Sequence, residues 1–172
     1  MGEIAAGERA EQMGTPLISD TGIRDVKFGN NVVVHQPVNI FGCEIGDDVM
    51  IGPFVEIQRG VRIGARCRVQ SHAFICEGVT IGDDCFVSHG VMFINDRFDR
   101  GGPARGDRSL WKTTTIGERV SIGTGAILLP VCVCSGTVIG AGAVVTKDIV
   151  VPGIYIGNPA KLLRQLGAEG AR

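Results

Sequence analysis

An aliphatic residue returns at every sixth position along most of this chain, often with glycine directly after it. The main run is Ile45, Ile51, Ile57, Ile63, Val69, Ile75, Ile81, Val87 and Phe93. After a lapse it resumes at Ile116, Ile122 and Leu128, takes a five-residue step to Val133, and continues through Ile139 and Val145 to Val151. A weaker set, Val26, Val32 and Val38, joins the main run through a seven-residue step. These 19 hexads fit neither the helical period nor two-residue alternation. The fourth residue after each aliphatic is small, as at Val49, Cys67, Ala73, Cys85, Ala126 and Cys132. Two inward positions per hexad describe a parallel β-helix, with one short strand and one turn in each repeat. Three hexads close a triangular coil of 18 residues, so the chain stacks about six coils at roughly 4.8 Å each. Spacing alone leaves the handedness open, because ordinary parallel crossovers are right-handed.

Composition agrees with this ruler. The chain of 172 residues has 26 glycines and only 5 % aromatics, so it packs through tight turns and small aliphatics. A net charge of −1 gives no electrostatic reason for a nucleic-acid or anionic-membrane partner. The opening MGEIAAGERAEQMG has no signal-peptide core and no membrane span, and the reading is a cytoplasmic protein. Residues 1–25 read as a lead-in, 26–157 as the β-helix and 158–172 as a closing tail. Asn158 and Pro159 are expected to cap and begin a short C-terminal helix with Leu162, Leu163 and Leu166 on one face. Cys67, Cys85 and Cys132 read as small core residues, and no ligand spacing calls for a metal.

The ruler lapses at 94–115, "INDRFDRGGPARGDRSLWKTTT", which must leave the prism as a loop. The loop carries Arg97, Arg100, Arg105, Arg108 and Lys112 against Asp96, Asp99 and Asp107, together with Trp111, the only tryptophan. An aromatic among arginines suits a phosphate-bearing ligand or a neighbouring subunit. Subtracting 18 from Asn95 gives Glu77 and again Arg59, a polar ladder up one edge of the prism. His89 falls over Ser71, with His72 beside it.

The [Ile/Leu/Val]-Gly hexads, together with "VIGAGAVVTKDIVVPGIYIGNPAKLLR" at 138–164, resemble the hexapeptide-repeat acyltransferases, whose β-helix is left-handed. The stretch "QSHAFICEGVTIGDDCFVSHGVMFINDRF" at 70–98 further resembles the branch that moves acetyl from acetyl-CoA to the 3-amino group of a nucleotide-linked amino-dideoxy-sugar for bacterial surface polysaccharides. The resemblance implies a homotrimer with its site between subunits beside the departing loop. It also implies sugar contacts from Glu77, Asn95 and Asp96, with His89 near the acetyl group.

Amine attack on a thioester needs positioning above all, worth about 7 to 11 kcal/mol, whereas a general base adds about 100-fold to 10,000-fold in rate. His89 is the best available proton acceptor, with Asn95 as its partner in the candidate catalytic pair, and Arg59 and Trp111 complete the candidate acceptor site. Gly140, Ala141 and Gly142 offer the CoA arm a path of little bulk, and Lys147, Lys161 and Arg164 offer its phosphates positive charge. The alternatives are an O-acetyltransferase of a hydroxyl acceptor, a non-catalytic β-helix scaffold, and a metal-dependent carbonic anhydrase, for which His35 stands too far from His72 and His89.

Overall fold

The computed structural model describes residues 21–166. The chain winds as a left-handed parallel β-helix whose three walls are three sheets. The first wall stacks seven strands: Ile23–Arg24, Asn39–Phe41, Glu56–Ile57, Phe74–Ile75, Met92–Phe93, Ile127–Leu128 and Val144–Val145. The second stacks six: Lys27–Phe28, Glu44–Ile45, Arg62–Ile63, Val79–Ile81, Thr114–Ile116 and Cys132–Val133. The third stacks eight, from Val33–Val34 through Met50–Ile51, Arg68–Val69, Phe86–Val87, Ser121–Ile122 and Val138–Ile139 to Gly153–Ile156 and Lys161–Gln165. The prism thus has seven strand levels on its first wall, one more than the six coils counted from spacing.

The extra level is Ile23–Arg24, which falls in the stretch expected to be a lead-in but pairs in register with Ile40 and Phe41, and the coils near both ends are shorter by one residue. Pairs such as Lys27 with Glu44 and Asn39 with Glu56 lie 17 residues apart, whereas Glu44 with Arg62 and Phe74 with Met92 lie 18 apart. The early aliphatic phase is corrected by the same pairing: Phe28, Val34 and Ile40 align with Ile45, Ile51 and Ile57. Val26, Val32 and Val38 therefore belong to the small column, two residues ahead, and a five-residue step joins Ile40 to Ile45. The later five-residue step has a parallel effect. It turns Val131 inward at 3 % exposure and leaves Cys132 exposed, so Cys132 is not the core residue expected of it.

Each strand is two or three residues long over most of the prism, so the ladders alone are weak and the inward columns carry the stability. Ile40, Ile57, Ile75, Phe93 and Leu128 are fully buried on the first wall, and each aliphatic side chain so buried is worth about 1.5 to 3 kcal/mol. The glycine after the aliphatic has a direct cause. A Cβ on Gly46 would lie 2.8 Å from the Ala65 nitrogen, and one on Gly82 would lie 2.9 Å from the Glu118 nitrogen. The next coil's backbone occupies the space that a side chain would need.

The closing segment departs from expectation. Lys161–Gln165 is a strand antiparallel to Gly153–Ile156, not a helix, and the Asn158–Pro159 peptide is cis within the turn between them. Backbone pairing to the last coil satisfies the groups that a free helix would have satisfied internally. Residues 1–20 of the lead-in and 167–172 of the tail lie outside the described residues. No helix among the described residues is long and apolar enough to cross a membrane.

Candidate functional site

Because the walls are fixed by their ladders, the side chains free to do chemistry stand at the three corners. The corner between the second and third walls holds the fold. There Arg66 bonds Asp84 at 2.7 Å and Asp83 at 3.2 Å, holding the Asp84 carboxyl below the usual aspartate range. Asp47 and Asp83 accept from the backbone N–H groups of Asn30 and Ala65 in the coils before them.

The corner between the third and first walls carries His89. Its backbone follows one rule from coil to coil: Phe54, His72, Gly90, Gly125 and Gly142 all take left-handed φ. Each of the five donates its N–H to the preceding coil, to the carbonyls of Pro37, Pro53, Ser71, His89 and Thr124. His89 thus lies one coil above Ser71, as the spacing predicts, with its ring exposed and no hydrogen bond to that ring among the described residues. The hydroxyls of Ser88 and Thr124 share a 2.8 Å bond that fixes the coil above it. Ala141 and Gly142 are exposed two levels above His89 on this same edge, about 10 Å away by coil spacing. The N–H groups of Gly140 and Gly142 already donate to Tyr155 and Thr124, so this stretch offers a ligand room rather than backbone donors. Lys161 follows the turn that caps the corner, and Arg164 lies further along the same strand opposite Ile154.

The corner between the first and second walls carries the ladder. The Asn95 amide donates to the Glu77 carbonyl at 3.1 Å, so the coil-to-coil stacking of Asn95 on Glu77 is realised. Below them the exposed Arg59 runs its stem past Gly42, where a Cβ would stand 3.1 Å from Arg59 Cγ. The loop leaves the prism after Ile94, whose N–H still bonds Leu128, and returns at Thr114, bonded to Gly78. Thr114 and Thr115, counted in the loop by the sequence, are strand residues paired with Val79 and Thr80.

The loop is pinned to the ladder it covers. Arg108 reaches Glu77 at 3.2 Å and lies 5.9 Å above the Trp111 ring. The Lys112 N–H donates to Asn95, while Asp96 accepts from the Phe98 and Ala104 N–H groups at 2.9 and 2.6 Å. Both Asp96 oxygens therefore organise the loop. A cavity of about 230 Å³ lies within the loop, lined by Asp96, Asp99, Arg100, Gly102, Leu110 and Lys112. Arg108 as the partner of Glu77 is the contact that sequence reasoning did not single out; its only signal was membership of the loop's basic cluster. Lys147 is exposed at this corner, apart from Gly140–Gly142.

The candidates therefore divide. His89, Gly140, Ala141 and Gly142 share one edge, with Lys161 beside its upper end. Arg59, Glu77, Asn95, Asp96, Trp111 and Lys147 share another. His89 and Asn95 are six residues apart across the first wall, up to about 20 Å of extended chain.

Profiles of hexapeptide families match the prism on both sides of the loop: the bacterial transferase hexapeptide (six repeats) at residues 42–77 and the hexapeptide repeat of succinyl-transferase at 113–147. Over these two stretches the chain is similar to the hexapeptide-repeat transferases. Among its relatives is the bifunctional protein GlmU of Clostridium acetobutylicum, 28 % identical over 95 % of this chain and 37 % of the relative. The chain spans about a third of the length of the curated relatives it matches. Among solved structures, a point mutant of AntD, an N-acyltransferase from Bacillus cereus in complex with dTDP and coenzyme A, superposes with a TM-score of 0.73 over 83 % of this chain and 85 % of its own, at 21 % identity. A galactoside acetyltransferase in complex with coenzyme A gives 0.61 over 75 % of this chain and 67 % of its own, at 26 % identity. Among the described residues no group of three or more His, Cys, Asp or Glu side chains could hold a metal ion.

Proposed function

We propose that this chain is an acetyl-CoA-dependent N-acetyltransferase of a nucleotide-linked amino-sugar, with the 3-amino group of a dideoxy-sugar as acceptor, acting as a homotrimer in the cytoplasm. The carrying observation is the division of the candidate residues over two edges, which no single prism can unite. The two edges bound the first wall, whose outward residues at its upper four levels, Phe74, Met92, Ile127 and Val144, are apolar and partly exposed, above Arg24, Asn39 and Glu56 at the lower three. The second wall instead turns out Lys27, Glu44, Arg62, Thr80 and Thr115. With the apolar upper part of the first wall facing a three-fold axis, the His89 edge of one subunit meets the ladder edge of the next.

In that cleft the acyl donor lies along Ala141 and Gly142, where side chains leave room, and the acceptor sugar lies under the loop against Glu77 and Asn95. The amine nitrogen's lone pair forms the new N–C bond to the thioester carbonyl carbon, the C–S bond breaks, and CoA leaves as thiolate. His89 takes the proton released by the amine and returns one to the sulfur. Holding the two reactants together accounts for most of the rate, because a neutral amine is already a good nucleophile.

The likeness to a galactoside acetyltransferase favours one second reading, O-acetylation of a sugar hydroxyl. Thiol release from acetyl-CoA, measured with amino nucleotide sugars and their hydroxyl counterparts, separates the two. Turnover with the amines alone supports N-acetylation, turnover with the hydroxyls alone supports the second reading, and no thiol release with either class refutes both. Thermal stabilisation by coenzyme A distinguishes either from a scaffold.

A further inference from the structure

Phe54 and His72 form the only stacked ring pair among the described residues, with centroids 4.9 Å apart and planes 13° from parallel. Both rings are exposed, Phe54 to 57 %. They occupy the corner position that successive coils above them give to glycine, at φ 61° and 63° beside 64°, 68° and 67° for Gly90, Gly125 and Gly142. Left-handed backbone costs glycine nothing and disfavours a residue with a Cβ, most of all a bulky one. Coil geometry asks for glycine here, burial does not hold either ring, and the pair still stands stacked and open to solvent. Two flat rings held side by side and open to solvent offer a face on which a third ring can stack.

The stack is on the His89 edge. The hydrogen-bond column sets His72 one coil below Gly90 and Phe54 one coil below His72, about 5 and 10 Å down the edge. This is the side of His89 away from Ala141 and Gly142. The corner residues beside the rings are His35, Gln36, Pro37, Pro53, Gln70 and Ser71, with no Lys, Arg, Asp or Glu among them, so the part of a ligand recognised here is a planar ring rather than a phosphate.

We propose that Phe54 and His72 are the stacking platform for the nucleobase of the acceptor. The inference rests on the nucleotide-sugar reading above and adds the residues that bind the base. The base lies on the platform below His89, the sugar extends up the edge to the cleft, and the acyl donor arrives from the opposite end.

Titration calorimetry on the full chain tests this with UDP and dTDP as probes, without turnover. Phe54→Gly suits the local φ, so it removes the ring and leaves the fold intact. The expected result is nucleoside diphosphate binding about 10-fold weaker in Phe54→Gly and in His72→Gly, and within about two-fold of wild type in Phe54→Trp. Binding of inorganic pyrophosphate and of coenzyme A is expected to stay unchanged in all three. Equal UDP and dTDP affinity in wild type and Phe54→Gly, or no binding of either by wild type, overturns the proposal. So does a selective loss of coenzyme A affinity, which would make the bound ring the adenine of the donor, or a change of oligomeric state by light scattering, which would make the platform a subunit contact. Base binding that depends on Phe54 in a protein that acetylates no amino sugar would sink the proposed reaction and leave the platform standing.

Discussion

If the His89 edge and the ladder edge form one site only across a subunit boundary, two defective variants should repair each other. Consider His89→Ala and Asn95→Ala, each reduced to about one tenth of wild-type turnover by the loss of one positioned polar group. Trimers assembled from an equal mixture draw each edge at random. About one quarter of clefts then pair an intact His89 edge with an intact ladder, about half carry one defect, and about one quarter carry both. The sum is about 25 % from the intact clefts and about 5 % from the singly defective ones, against about 10 % for either variant alone, a three-fold rise on mixing. The assay is thiol release from acetyl-CoA by co-expressed or co-refolded variants, with each homotrimer as reference. If both edges served a site within one prism, every cleft would keep one defect and the mixture would stay at the mean of the two variants. No rise on mixing, in trimers shown by mass spectrometry to be mixed, refutes the two-edge cleft.

Three further outcomes follow from the packing. Phe93 is fully buried on the coil from which the loop departs, so Phe93→Ala is expected to cost about 3 to 5 kcal/mol by denaturant titration; a loss under about 1 kcal/mol would mean that the columns are not close-packed. Burial pushes the Cys43 thiol up to about 11 and that of Cys76 to about 12, and it shields Cys67 and also Cys85, whose thiol pKa the Cys67 hydrogen bond lowers, so native protein at pH 8 should alkylate at the exposed Cys132 first and leave those four protected, as read by peptide mass. Arg66 lowers the Asp84 pKa in the folded state below its unfolded value, so the stability due to that pair is present above the ordinary aspartate range and is lost as pH falls through the folded value; the melting-temperature gap between wild type and Arg66→Gln should be present at pH 7 and shrink as pH falls below the ordinary aspartate range, and a gap that is unchanged with pH would refute the pairing.

The sequence and the structure agree where a position's physical role depends on the repeat alone. Ile45 to Phe93 are inward because six residues make one wall, and Asn95 falls on Glu77 because 18 make one coil there. Disagreement begins where the count changes by one. The five-residue steps after Ile40 and Leu128 shift the inward register, which is why Val26 was assigned to the aliphatic column and Cys132 to the core. The tail misled for a different reason. Asn-Pro followed by spaced leucines matches a helix start, but the last coil offered Gly153–Ile156 as an unpaired edge, and backbone pairing to it overrode the local pattern. The candidate acceptor and donor residues could be placed on edges by counting, whereas the partners of the loop could not. The contact of Arg108 with Glu77 and the use of both Asp96 oxygens within the loop depend on how an irregular segment folds back, and no period encodes that.

The same reasoning explains why chemistry in this prism gathers at corners. A wall strand of two residues spends one side chain on the core and joins both neighbours through its backbone, so it has little freedom to vary without breaking a ladder. A corner tolerates insertion, and the first-to-second-wall corner has taken a whole loop. Across it, Val79 pairs with Thr114 and Met92 with Ile127 at a separation of 35 residues, while Phe74 pairs with Met92 at 18 and Ile127 with Val144 at 17. The coil containing the loop is a normal coil with an excursion, and the walls above and below it stay in register. The loop can therefore change its length and charge while Glu77 and Asn95 beneath it remain fixed by their coils. On the other edge, where no residue is inserted, variation is confined to which side chain fills each left-handed position. Glycine there keeps the edge slim beside Ala141, and Phe54 and His72 make it broad and aromatic below His89.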